Sequence, residues 1–218
     1  MPRRTEAISK RDVAVLGLIA RLGVSPRSVV MAWAGMSDRT SAYRRERRLL
    51  EAGFLEQHPP FAASGPVFSV TWRGLRACGR DDLPEPRYSH GQVVHALEVG
   101  TIGVAYELAG QSVLFEREIT AAERSYRERM YSAELGGRRF HRPDLVLVGE
   151  KPVAVEVELT QKSGARLDEI LRAWRDAVLL KKVGQVVYRC GEKARSPVER
   201  AMARTKIANG RHIRIEGL

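Results

Sequence analysis

Three carboxylates in the second half of the chain are spaced for chemistry. Asp144 follows Pro143, and Glu156 and Glu158 sit within Val153-Ala154-Val155-Glu156-Val157-Glu158-Leu159. Side chains alternate along a strand, so this run predicts Ala154, Glu156 and Glu158 on one face and Val153, Val155, Val157 and Leu159 on the other. Two glutamates on an otherwise apolar strand are costly if buried without partners. Two arrangements resolve that cost. One is a divalent cation bound by carboxylate oxygens, with Asp144 on the neighbouring strand as the third acid. The other is a structural ion network with Arg138, Arg139 or Arg142. His141, beside the cluster, reads as an ordinary loop residue, and Cys190 as core.

A second set of residues lies on one helix. The stretch from about Ser37 to Ala52, followed by Gly53, reads as a helix with Ala42, Leu49 and Leu50 on its inner face. Thr40, Ser41, Arg44, Arg47 and Arg48 fall on the outer face. A helix entering a major groove needs short polar or forked cationic side chains near its N-terminus. Thr40, Ser41 and Arg44 meet that need, and Arg45, Arg47 and Arg48 suit phosphates, which position a protein on DNA without carrying sequence information. Arg39, at the helix start, is counted with them as a DNA-binding residue. A merely solvated face normally mixes its charge signs, whereas this helix carries five arginines.

The composition agrees. The 218 residues carry a formal charge of +11, which calls for a polyanionic partner. Residues 1–80 hold 14 Lys/Arg against 6 Asp/Glu, while residues 81–218 hold 23 against 20, so the basic footprint is N-terminal. Cys78 and Cys190 are far apart and lack metal-ligand spacing, as expected of a reduced, cytoplasmic compartment. Val13 to Ala20 is too short for a membrane span and reads as a buried helix. No basic amphipathic helix with exposed aromatics points to a membrane surface.

The elements that must position these residues follow from caps and periodicity. Ser9 and Asp12 form a capping-box pattern ahead of Val13, Leu16, Ile19 and Ala20, and Gly23 ends that helix. Ser25-Pro26 starts a second helix, with Ser25 as cap and Val29, Val30 and Trp33 on its apolar side. After the arginine helix come strands at 54–58 and 67–71, joined by the Pro/Gly-rich turn Pro59–Pro66. Its tip, Pro59 to Gly65, has no Lys or Arg, and Phe61 suggests contact with a partner subunit. The acidic, proline-broken segment 81–87 reads as a linker between domains 1–80 and 88–218. The second domain reads as a helix at 89–109 with Val93, Leu97, Val104 and Leu108 on one side, then strands at 112–119, 144–148 and 153–159. A charged stretch, 120–142, separates the first two strands. A helix from Ser163, a strand at 185–190, a helix near 197–207 and a strand at 212–215 follow, giving α-β-β-β-α-β with an α-β extension.

The first part resembles winged helix-turn-helix factors through Ser37-Asp38-Arg39-Thr40, Leu49 to Phe54, and Thr71-Trp72-Arg73-Gly74-Leu75. That implies an α+β chain binding double-stranded DNA. Pro143-Asp144 and Glu156-Val157-Glu158 resemble the PD-(D/E)XK nuclease superfamily, with Glu158 where the motif has lysine. The resemblance implies Mg²⁺ on Asp144 and Glu156, with Glu98 as the helix acid, Glu158 as a ligand or water-orienting base, and Lys162 as a substitute cation. It implies a metal-dependent endodeoxyribonuclease if active, and an interaction or homodimerisation module if not. The combination is similar to the replication-relaxation family of plasmids and other mobile elements, which implies transcription or replication control there.

Overall fold

A computed structural model describes residues 8–59, 65–87, 89–126, 129–160 and 164–218. The chain is mixed α+β and divides into two units, Met1–Leu108 and Ala109–Leu218. Among the described residues no helix is long and apolar enough to cross a membrane.

In the first unit, α1 (Lys10–Leu22) starts at the expected capping box: Ser9 accepts from the Asp12 amide, and Asp12 accepts from the Ser9 amide at 2.8 Å. Gly23, at φ +81°, ends it and donates to the Ile19 carbonyl, as the left-handed C-cap position favours. A three-residue strand, β1 (Val24–Pro26), then precedes α2 (Arg27–Trp33). The start of α2 therefore falls one residue later than expected, with Pro26 rather than Ser25 at the cap. α3 (Arg39–Glu51) is capped by Asp38, which accepts from the Thr40 and Ser41 amides.

The hairpin β2 (Leu55–His58) and β3 (Val67–Val70) forms as expected, and β1 adds to it antiparallel in the order β1-β3-β2. Residues 60–64, which hold most of the uncharged turn and Phe61, lie outside the described residues. A short helix α4 (Trp72–Ala77), capped by Thr71, follows. Gly74 lets it seat, since a Cβ there would lie 2.2 Å from the Phe54 carbonyl oxygen.

The expected linker is not a solvated tether. Leu83 is buried, and Glu85 accepts from the Trp72 amide at 3.0 Å. The helix beyond it, α5 (His90–Leu108), belongs to the first unit: Val93 joins Val24 and Val67 in one apolar cluster, with Ala96 and Leu97 against it. Glu107 accepts from Trp33 Nε1 at 2.7 Å and pairs with Arg21 at 2.7 Å. The boundary between the compact units thus lies at 108/109 instead of 81–87. Leu108, expected on the apolar side, is exposed.

The second unit is built on a five-stranded sheet of order β10-β9-β8-β7-β4. β4 (Ser112–Phe115), β7 (Leu145–Val148) and β8 (Val153–Glu158) are antiparallel neighbours. β9 (Gln185–Cys190) and β10 (Ile213–Gly217) continue parallel to β8. Parallel neighbours need crossovers, supplied by α7 (Gly164–Leu179) and α8 (Glu192–Arg204). Trp174, Leu171 and Ile170 of α7 pack with Ala154, Val186, Tyr188 and Ile213 of the sheet.

Three segments differ from expectation, one of them α8, which starts at Glu192 rather than near Pro197 and carries Pro197 inside it. The strand expected to reach Ile119 stops at Phe115 and becomes α6 (Glu116–Tyr126), whose apolar residues Ile119 and Ala121 are buried. The charged stretch after it holds the hairpin β5 (Ala133–Leu135) and β6 (Arg139–His141).

Candidate nucleic-acid interface and buried carboxylates

The outer face of α3 is exposed at Arg39, Thr40, Ser41, Tyr43, Arg44, Arg47 and Arg48. Asp38 fixes its first turn, and its carboxyl lies below the ordinary value, chiefly through the Ser41 hydroxyl bond and then the Thr40 and Ser41 amides. Ser41's hydroxyl is thereby engaged within the cap.

The five arginines separate into three groups. Arg45 and Arg48 both pair with Asp12 of α1, whose side chain is fully buried. Arg47 donates to Glu51 one turn on at 2.8 Å, with both side chains well exposed. Arg39 and Arg44 have no carboxylate partner among the described residues. Arg45 and Arg48, expected to face phosphates, thus share their charge with a buried acid. Burial alone would raise the Asp12 carboxyl, but the Ser9 bonds and the Arg45 and Arg48 charges outweigh it and hold the group below its ordinary value.

The inner face also differs. Glu46 is buried beside Ala42 and Leu49, while Leu50 is only half-buried. Glu46 accepts from Arg27 Nε at 2.5 Å. Burial pushes its carboxyl up, against the Arg27 bond and charge. The same guanidinium lies 5.2 Å from the Tyr43 ring centroid and 6.0 Å from that of Phe68, within cation–π range. Tyr43 is 55% exposed, and sequence reasoning missed it. Its position four residues after Arg39 and three after Thr40, on one helix face, is the signal that could have found it.

In the second unit, Glu156 and Glu158 are buried on β8. Glu156 Oε1 accepts from Trp174 Nε1 at 3.0 Å and lies 2.9 Å from His141 Nε2. An ionised carboxylate only accepts, so the contact with ionised Glu156 requires the Nε2–H tautomer or the imidazolium of His141. His141 is therefore a strand residue that orients Glu156, with its ring edge-on to Trp174 at 5.9 Å, rather than an ordinary loop residue. Asp144 Oδ2 accepts from the Val157 amide at 2.7 Å, tying the start of β7 to β8.

Tyr188 pairs in register with Glu156 and is wholly buried. Burial first, then the charges of Glu156, Glu158, Cys190 and Asp144, pushes its hydroxyl well above the ordinary value, so it stays a neutral phenol. Cys190 is core, as expected.

The expected arginine network forms elsewhere. Arg139 pairs with Glu169, and Arg142 donates to the buried Glu123 at 2.8 Å, which also accepts from the Ser132 hydroxyl. Glu98 belongs to the first unit, on α5, where it lines a groove with Ser28, Val29 and Thr101. Lys162 lies outside the described residues.

Mg²⁺ asks for near-octahedral oxygen coordination by ligands with free lone pairs. Here two N–H donors converge on one oxygen of Glu156, and a backbone amide holds Asp144. Among the described residues no group of three or more His, Cys, Asp or Glu side chains is placed to hold a metal ion. These N–H donors engage one oxygen of each carboxylate, Oε1 of Glu156 and Oδ2 of Asp144. Comparison of the chain with known protein families, curated proteins and solved structures gave no match.

Proposed function

We propose that this chain is a double-stranded DNA-binding protein whose first unit is a winged helix-turn-helix with α3 as its reading helix. Its second unit is a PD-(D/E)XK-like scaffold used for interaction or dimerisation rather than hydrolysis. The role that fits the replication-relaxation resemblance is transcription or replication control on a plasmid- or phage-like element. The element order α1-β1-α2-α3-β2-β3 supports the winged-helix reading. So does the antiparallel sheet β1-β3-β2.

The observation that carries the proposal is the exposed α3 face on which Arg39 and Arg44 have no carboxylate partner among the described residues, beside Thr40 and Tyr43. Fluorescence anisotropy on duplexes selected from a random 30-base-pair pool tests it. Arg44→Ala weakens binding to the selected duplex by about 1–3 kcal/mol, the size of a bidentate base contact, and weakens binding to unselected duplexes less. Equal loss on both makes Arg44 a phosphate contact. Failure of the wild-type chain to bind any duplex ends the DNA-binding reading.

The hydrolytic reading has one observation in its favour, the position of Asp144 beside the strand that carries Glu156 and Glu158. Incubation of supercoiled DNA with Mg²⁺ or Mn²⁺ separates the two. No cleavage is expected, and cleavage lost in Asp144→Ala establishes the nuclease instead.

A further inference from the structure

A cavity of about 390 Å³ opens in the first unit, lined by Arg27 and Ser28 at the start of α2, Met31 one turn on, Arg39 at the start of α3, and Gly65 and Pro66 ahead of β3. Its charge is not evenly shared. Arg27 is matched by Glu46 at 2.5 Å, whereas Arg39 on the same wall has no carboxylate partner among the described residues. Ser28 is exposed and adds a hydroxyl. Met31 and Pro66 supply a short apolar side.

A forked cation and a hydroxyl opposite an apolar wall match the chemistry of a phosphodiester and its sugar. Guanidinium–phosphate bonds are charge-assisted and directional, and such contacts fix a protein's register on the duplex. The cavity shares Arg39 with the exposed face of α3, so one side chain belongs to both surfaces.

We infer that this cavity seats one backbone phosphate of duplex DNA. Arg39 and Ser28 are the contacting groups, and Met31 and Pro66 lie against the deoxyribose. The inference rests on the DNA-binding reading above and deepens it. It moves the positioning contact from the middle of α3, where Arg45 and Arg48 answer Asp12, to the helix start. Arg27 orients the wall and is itself held by Glu46 and by the Tyr43 and Phe68 rings.

The test is the salt dependence of binding, measured with the full chain and 30-base-pair duplexes of both selected and unselected sequence. Each neutralised phosphate contributes roughly 0.9 to the slope of log K against log salt. Arg39→Gln lowers that slope by about one on every sequence, Arg39→Lys restores it, and Ser28→Ala weakens all duplexes by the same factor. Arg39 and Ser28 are exposed, so the variants keep the wild-type melting temperature.

An unchanged slope in Arg39→Gln, with the wild-type chain still binding DNA, overturns the phosphate seat and leaves the DNA-binding reading standing. Absence of any binding by the wild type overturns both. A titration with inorganic phosphate alone distinguishes the source of the anion. Saturable binding lost in Arg39→Gln, with duplex affinity unaffected, assigns the cavity to a free phosphate and overturns the backbone assignment.

Discussion

Asp12 in the first unit and Glu156 in the second are both buried carboxylates on regular elements, yet their partners differ in kind. Asp12 receives two guanidinium groups from α3 and the Ser9 cap. Glu156 receives an indole N–H and an imidazole N–H. The first arrangement draws charge away from the helix proposed to meet DNA, because two of its five arginines compensate an internal acid. The second holds one oxygen of a carboxylate with ring donors from its own unit. Motif and charge counting treat both kinds of residue as available for chemistry, whereas burial and partner identity decide which are.

The largest expected effect tests the Asp12 side of the comparison. Asp12→Asn keeps the shape and removes the charge that compensates Arg45 and Arg48. Breaking a fully buried pair costs about 3–5 kcal/mol, and the partial exposure of both arginines puts the expected loss at the low end, about 3 kcal/mol. Urea unfolding followed by tryptophan fluorescence measures it, and a loss under about 1 kcal/mol means solvent already serves the two arginines. The same pair sets an acid limit. Because the folded state holds the Asp12 carboxyl below its ordinary value, its contribution is complete above about pH 4 and is lost as pH falls through the depressed value. Asp12→Asn therefore flattens the acid limb of stability against pH. An acid limb identical in mutant and wild type assigns the acid sensitivity to other carboxylates.

Glu156 answers differently to the same kind of change. Glu156→Gln keeps an oxygen to accept from Trp174, so the expected loss is below about 1 kcal/mol. Glu156→Ala strands two donors, at about 1–3 kcal/mol for each buried group left unmade. Chemical denaturation of both variants measures the gap between them. Should Gln cost as much as Ala, the negative charge itself matters at that position. The two buried acids would then be alike.

Much of this was legible in the sequence where the signal is local. The Ser9–Asp12 cap, the stop at Gly23 and the strand at 185–190 form where spacing places them, because each depends on neighbours within a turn or on a short apolar run. The second role of Asp12 was not legible, since Arg45 and Arg48 lie 33 and 36 residues away and only tertiary packing brings them together. The hairpin at Ala133–Leu135 and Arg139–His141 is too short to show a period. His141 therefore read as loop, and the donor that orients Glu156 was missed. α5 read correctly as a helix, but its assignment to a unit depended on Val93 and Glu107 finding partners in the first eighty residues.

The smallest effect on stability, and the sharpest on the comparison, comes from Arg47 and Glu51. Both are well exposed, and such surface pairs contribute little to folding, so Arg47→Ala leaves the melting temperature unchanged. Binding responds instead. An exposed carboxylate can release its guanidinium to a phosphate at small cost, whereas Asp12 cannot release Arg45 and Arg48 without becoming an unpaired buried charge. Glu51→Ala is thus expected to strengthen binding to unselected duplexes, Arg47→Ala to weaken it, and the double variant to match Arg47→Ala alone. Non-additivity in such a cycle is the signature of two groups acting as a pair. If Glu51→Ala strengthens binding equally when Arg47 is already alanine, Glu51 acts through the overall field of the helix, and the distinction between a releasable surface pair and a committed buried one does not extend to DNA binding.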